Sequence, residues 1–374
     1  METYAIWNPK GGVGKSYLTF QLSCEYARQH PEKTVLVIDM GIHADVSAML
    51  LGGLAGDQVL DGLYREVVKS GKSKRRLRRR SIAGYISVRT QHVHANPGTG
   101  EDYAVRCHEY NPSVPDNLLL VPGDPDLVAY TAKVHHVALN HQRETLEEAG
   151  RARAPRGYEY ESQGNSWRAV HTWIIDLIAD IVAPQKSSDY TVFLDCGSGL
   201  SIFTELALSA SNKLIIPFTV DGSSQRAIDN ILDLIYFGNA EFSDHSGRAR
   251  LSVPKIWGFI ANRLTRYETG EKIAAQAFHG VETRICEQMW DVYTKYPGCF
   301  HDTQAVDFPE FKSRFHSEMP DANSASVIST CTGIPIPGIT VGYQEIPGAK
   351  PVLIGAQQLR AQKPWIVALA KSVA

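Results

Sequence analysis

A chain of 374 residues, 43% hydrophobic and 21% charged, has the make-up of a soluble globular protein with one large or two ordinary domains. A net charge of −2 excludes a general polyanion binder, so any hold on nucleic acid must come from a local patch. The six cysteines (Cys24, Cys107, Cys196, Cys286, Cys299, Cys331) show no metal-clip spacing and read as reduced thiols, no apolar run approaches the ~18–20 residues of a membrane helix, and no signal-peptide core opens the chain, so a cytoplasmic protein is expected.

In chain order, Thr3–Trp7 is a short apolar strand, Lys10–Ser16 a glycine-rich loop, and Tyr17–Gln29 a helix with Leu18, Leu22, Tyr26 and Ala27 near helical spacing. Thr34–Ile38 is a continuous apolar run of the kind a strand buried on both faces needs. Further strands are predicted at Asn117–Val121, Tyr190–Leu194, Lys213–Phe218, Lys255–Ile260 and Ile339–Tyr343. Helices fall between them, over 126–149, 167–183, 200–211, 223–237, 271–290, 304–316 and 356–373. This alternation predicts an α/β fold, a doubly wound, mostly parallel sheet with helices on both faces. We read 1–374 as one domain with loops or small insertions at 69–116, 150–166 and 291–337, where the composition turns basic, rich in Gly and Pro, or irregular.

The loop Lys10-Gly11-Gly12-Val13-Gly14-Lys15-Ser16 has the chemistry of a phosphate cradle. Backbone N–H groups of a glycine-rich turn can wrap an anion if no side chain intrudes, and the following helix aims its positive end at the same charge. Lys15 supplies a point charge to the β- and γ-phosphates, and Ser16 a hydroxyl for Mg²⁺. The pattern G-x-x-x-x-G-K-[ST] is broken at its first position by Pro9, while a second lysine, Lys10, opens the motif.

In this string the chain resembles the ParA/MinD family of P-loop ATPases, whose deviant Walker A motif reads K-G-G-x-G-K-[ST], and it is closest to the ParA partition branch. Thr34–Asp39, Asn117–Asp124, Asp189–Asp195, Lys213–Pro217 and Gly258–Arg263 look like successive segments of that family, in order. The resemblance implies ATP and Mg²⁺ as cofactors and a homodimer closing on ATP, with Lys10 reaching the partner's nucleotide much as an arginine finger does. It also implies contact of Asn262 and Arg263 with adenine, nonspecific DNA binding, and a ParB-like adaptor or activator as partner.

The acids follow from position. Asp195 ends an apolar strand, so its carboxylate sits at the ligand crevice, where it would hold Mg²⁺ through water. Asp39 ends the neighbouring strand, facing the same crevice, and is a second candidate for the metal or for catalysis. The family continues D-x-D, its second acid orienting the attacking water, but here Gly41 takes that place in Asp39-Met40-Gly41-Ile42-His43-Ala44-Asp45. Asp45 or His43 moves in, Asp39 takes the role, or hydrolysis is slow. Tyr17 is a second departure, standing where the family has a small hydroxyl residue near the α-phosphate.

Eight Lys or Arg fall between Lys69 and Arg80. Lys74, Arg75, Arg76, Arg78, Arg79 and Arg80 are the candidate DNA contacts, in a sequence-independent, salt-sensitive mode, against a plain solvated loop. The last helix could align Trp365, Leu369 and Val373 as a membrane stripe but reads more simply as docked on the fold. The first reading is therefore an ATP-dependent dimerisation switch acting on DNA or a partner in segregation or positioning. Its rivals are a nucleotide-gated module with little hydrolysis and a MinD-like membrane-positioning ATPase. A polysaccharide-export tyrosine kinase lacks its tyrosine-rich tail here, and an amide-forming biosynthetic ATPase remains within the wider fold group.

Overall fold

The strands of the computed structural model are β1 (Glu2–Ile6), β2 (Thr34–Asp39), β3 (Glu66–Ser70), β4 (Lys74–Arg78), β5 (Val105–Arg106), β6 (Leu118–Val121), β7 (Tyr190–Asp195), β8 (Lys213–Phe218), β9 (Lys255–Leu264), β10 (His316–Pro320), β11 (Gly342–Gln344) and β12 (Val352–Ile354). The helices are α1 (Lys15–Gln29), α2 (Asp45–Leu50), α3 (Gly56–Tyr64), α4 (Ile82–Arg89), α5 (127–138), α6 (Ser166–His171), α7 (Trp173–Val182), α8 (Ile202–Ser209), α9 (Ser224–Ile235), α10 (Glu241–Arg248), α11 (Lys272–Lys295), α12 (Phe308–Phe315), α13 (Ser324–Thr332) and α14 (Ala356–Ser372). The structure describes residues 1–70, 74–138, 166–184, 189–237, 241–248, 250–264 and 272–373.

Eight strands form one sheet in the order β10-β9-β8-β1-β7-β2-β6-β5, parallel throughout except for β5, which runs antiparallel to β6. The expected doubly wound α/β fold is what forms. Side chains alternate across a strand, so a strand between two helical layers must be apolar at every position. In β2, Leu36 and Ile38 enter one core while Val35 and Val37 enter the other. Helices α1, α2, α3, α13 and α14 cover the second of these faces, and α4 to α9, α11 and α12 the first. Among the described residues, no helix is long and apolar enough to cross a membrane. Helix α14 packs on α1, and of the expected stripe Leu369 and the following Val373 are buried and Trp365 half-buried, so the C-terminal stripe is spent on the fold.

Several expectations are corrected. Ile339–Tyr343 does not join the main sheet. Ile339 is buried, but Val341 and Tyr343 face outward, and 342–344 pairs with β12 in a separate two-stranded hairpin. The edge strand β10 lies inside the stretch read as irregular. His-Ser-Glu-Met-Pro has no strand pattern of its own and takes its conformation from parallel pairing with β9. The basic run is not a loop but the antiparallel hairpin β3–β4. Within 69–116, Ile82, Ala83, Tyr85 and Ile86 of α4 are core residues and β5 extends the sheet. The predicted helix 126–149 is seen as 127–138, and residues 139–165 lie outside the described residues.

Candidate nucleotide site

Parallel strands deliver their C-terminal ends to one edge, and β1, β2, β7, β8 and β9 bring their following residues together there. The loop after β1 opens directly into α1, whose N-cap is Gly14. Gly14 has φ +81°, and a Cβ there would lie 2.4 Å from Asn262 Nδ2, so no other residue fits. Asn262 Nδ2 donates to the Val13 carbonyl at 2.8 Å, tying the loop to β9. The crevice beside the loop has a volume of about 800 Å³, within the size range of small-molecule sites. Gly11, Gly12, Lys15, Ser16 and Tyr17 line one wall, and Asp39, Gly41, His43, Asp45 and Asp195 the other.

Lys15 is buried, and its Nζ donates to the Lys10 carbonyl at 3.1 Å. Burial lowers its pKa, and the charge of Asp195 works against that. Asp195 accepts hydrogen bonds from Ser16 and from Thr19 Oγ1, the latter at 2.9 Å. Asp39 and Asp195 are side by side in the β2–β7 register, and both are almost wholly buried. Burial and, for Asp39, the neighbouring Asp195 charge hold both carboxyls well above the ordinary carboxylate range. Two buried acids this close, backed by one buried lysine, form a donor set that a divalent cation would neutralise.

Asp39 is already engaged. Its Oδ1 accepts from the Gly41 N–H at 2.8 Å, and its Oδ2 accepts from Ser47 Oγ at 2.6 Å and Ser47 N at 3.2 Å. Ser47 Oγ in turn accepts from the Gly123 N–H at 2.9 Å, so Asp39 fixes the start of α2 and the end of β6. Asp45 and His43 are exposed at the crevice. The Tyr17 hydroxyl donates to Gln362 Oε1 at 2.9 Å, away from the loop, while the residue still lines the crevice.

Two predicted site residues stand elsewhere than the resemblance implies. Lys10 turns to its own subunit, where Nζ donates to Thr219 Oγ1 at 2.9 Å and Ser224 Oγ at 3.3 Å and pairs with Asp221. Burial raises the Asp221 carboxyl, but bonds from Lys10, Ser223 and Thr219 outweigh it and hold the group well below the ordinary range. Asn262 is buried on the loop, its Oδ1 without a hydrogen bond among the described residues, rather than open in the crevice. The side chain of Arg263 lies outside the described residues.

The basic hairpin divides in the same way. Arg78 pairs with Glu66 at 3.0 Å and Asp102 at 2.7 Å. Arg79 forms a bidentate pair with the buried Asp124 and reaches Asp126 at 2.9 Å. Arg80 donates to the Ala104 carbonyl. These three arginines are answered by partners within the chain. The side chains of Lys74, Arg75 and Arg76 lie outside the described residues.

Sequence reasoning missed Thr19, Ser47 and Asp221. Thr19 was findable, four residues after Lys15 on one helix face, and so was Asp221, an acid just past a parallel strand. Ser47 carries no local signal.

The profile of the CobQ/CobB/MinD/ParA nucleotide binding domain matches residues 4–277. No curated protein matches the chain. Among solved structures, MinD in a MinC:MinD cell division complex from Aquifex aeolicus is 15% identical, with 100% of this chain and 95% of that one covered and a TM-score of 0.46. An ATP complex of a McdA variant from Cyanothece is 15% identical over 77% and 80% of the two chains, at a TM-score of 0.43. A plasmid partition protein from Borrelia burgdorferi bound to AMPPNP is 14% identical over 83% and 94%, at 0.41. With its phosphate loop at the head of the matched segment, the chain belongs to the CobQ/CobB/MinD/ParA nucleotide-binding family.

Proposed function

We propose that this protein is a Mg²⁺-dependent ATP switch, in which ATP binding drives homodimerisation, slow hydrolysis resets the dimer, and the dimer engages DNA or a partner protein. What supports the reading is the open phosphate loop facing the buried pair Asp39 and Asp195. Ser16 and Asp195 would hold the cation, which would neutralise phosphate charge. Lys15 binds the β- and γ-phosphates, and α1 directs its N-terminus at them.

Slow turnover follows from the wall opposite the loop. Gly41 has no side chain to hold a water, and both Asp39 oxygens are occupied by Gly41 and Ser47. Asp45 is the acid left to approach the γ-phosphate. Orientation of the attacking group can be worth ~7–11 kcal/mol, so its partial loss keeps turnover well under the ~10 per second of a median enzyme.

Lys10 must leave Asp221 to act on a partner's nucleotide. Lys10→Ala is expected to bind ATP and stay monomeric, whereas Asp221→Asn frees the lysine and dimerises at lower ATP, both read by light scattering. A Lys10→Ala protein that dimerises as the wild type does removes the lysine from the interface. Fast wild-type turnover that vanishes in Asp45→Ala retires the slow-switch reading.

A further inference from the structure

Away from the nucleotide crevice, three donors of different chemistry meet under the sheet edge. Glu282 and Cys286 lie four residues apart on α11, hence on one helix face, and His316 opens β10 across from them. One oxygen, one sulfur and one imidazole nitrogen lie within 4.8 Å of one another. All three side chains are nearly or wholly buried, at 1% exposure for Glu282, 0% for Cys286 and 3% for His316. His316 Nε2 stands 3.3 Å from Glu282 Oε1, yet that nitrogen and Glu282 Oε2 make no hydrogen bond among the described residues.

The charge balance is as incomplete as the hydrogen bonding. Glu318, two residues along β10 and so on the same strand face as His316, adds a second negative charge that pushes on Glu282. Facing the group are Lys312, whose Nζ is 3.4 Å from Glu282 Oε1, and the largely exposed ring of His279, 3.4 Å from Oε2. A buried carboxylate with an unbonded oxygen, beside an imidazole with an unbonded nitrogen and a thiol, is a poor way to finish a core and a good way to begin a coordination sphere.

We propose that Glu282, Cys286 and His316 bind a zinc-class divalent cation that fastens α11 to the edge strand β10. The mixed O, S and N set suits Zn²⁺, whose bonds of about 2.0–2.3 Å need only a small contraction of the present cluster. Binding replaces the Cys286 S–H bond with an S–metal bond and releases the proton to solvent. Three protein donors leave a fourth position for water or the Glu318 carboxylate. The exposed His279 and the partly exposed Lys312 lie on the solvent side of Glu282. The cluster lies beyond the matched family segment 4–277 and is independent of the nucleotide reading.

The test uses the full chain, stripped with chelator and titrated with Co²⁺ or Zn²⁺ alone. Wild type is expected to take up one ion per chain, and its cobalt form to show an intense thiolate-to-cobalt band in the near ultraviolet. Cys286→Ser should lose the band, while Cys299→Ser and Cys331→Ser keep it. His316→Gln should weaken Zn²⁺ binding at least about tenfold, the low end of what losing even an outer partner costs. Circular dichroism checks each variant, and should Cys286→Ser fail to fold, the wild-type cobalt spectrum and His316→Gln still decide. No saturable uptake by wild type, a band that survives in folded Cys286→Ser, or affinity unmoved in His316→Gln overturns the proposal.

Discussion

The phosphate loop and the basic hairpin both crowd cations into a short stretch, and their charges end in different company. Lys15 is anchored to a backbone carbonyl of its own loop and faces a crevice, so its charge is held ready for a ligand. Arg78 and Arg79 close on Glu66, Asp102, Asp124 and Asp126, so their charges are already answered within the chain. A cation serves a ligand when the fold gives it a place and withholds a full partner. Lys10 stands between these cases, paired with Asp221 at the border of the site.

The largest expected break in this comparison is Lys15→Ala. It removes the charge meant for the phosphates and should abolish measurable ATP binding in isothermal titration while the fold persists. Unchanged affinity with Mg²⁺ present would take the loop out of the site. Arg79→Ala should act on stability instead. It strands the buried Asp124 carboxylate and is expected to cost about 3 kcal/mol in denaturant unfolding, the low end for a broken buried pair, because Ser81 still donates to that carboxylate. ATP binding by the folded fraction should not change.

The paired acids make a subtler prediction. Burial and the neighbouring Asp195 charge raise the Asp39 carboxyl, so the folded protein keeps a proton there that the unfolded chain has released, over a window that opens at the ordinary 3.8. With more protons bound in the native state, stability falls as pH rises through that window. Melting temperatures of the ligand-free protein should show this slope, and Asp39→Asn should flatten it. A slope identical in the variant would mean that Asp39 does not carry the effect. Smallest is the change from Lys74, Arg75 and Arg76 to Ala, which should weaken duplex DNA binding at low salt and reduce the salt slope by up to ~0.9 for each phosphate no longer neutralised. Equal binding before and after would end the DNA role of the hairpin.

These contrasts mark what the sequence could disclose. The loop was legible because its chemistry is contiguous, and Asp39 and Asp195 because a parallel strand ends where a ligand sits. The β2 strand was legible because both its faces are buried. The arginines' partners at Asp102, Asp124 and Asp126 lie dozens of residues away, and no local pattern announces them. Strand β10 was hidden for the same reason, its conformation being imposed by β9. Gly41 was seen as a missing acid, but not as a close neighbour. A Cβ there would come within 2.9 Å of Asp39 Oδ1, so adding a carboxylate would disturb the very pair it was meant to assist.

The place of β1 in the sheet has a consequence in time. Strand β1 lies between β7 and β8, which follow it in the chain by more than 180 residues. Its helix α1 waits longer still, because Gln21 bonds Ser329 and the Ile336 N–H, and Tyr17 bonds Gln362. The segment that holds the nucleotide loop is thus made long before the residues that seat it. Until those residues are made, an apolar strand and an unseated loop are exposed together.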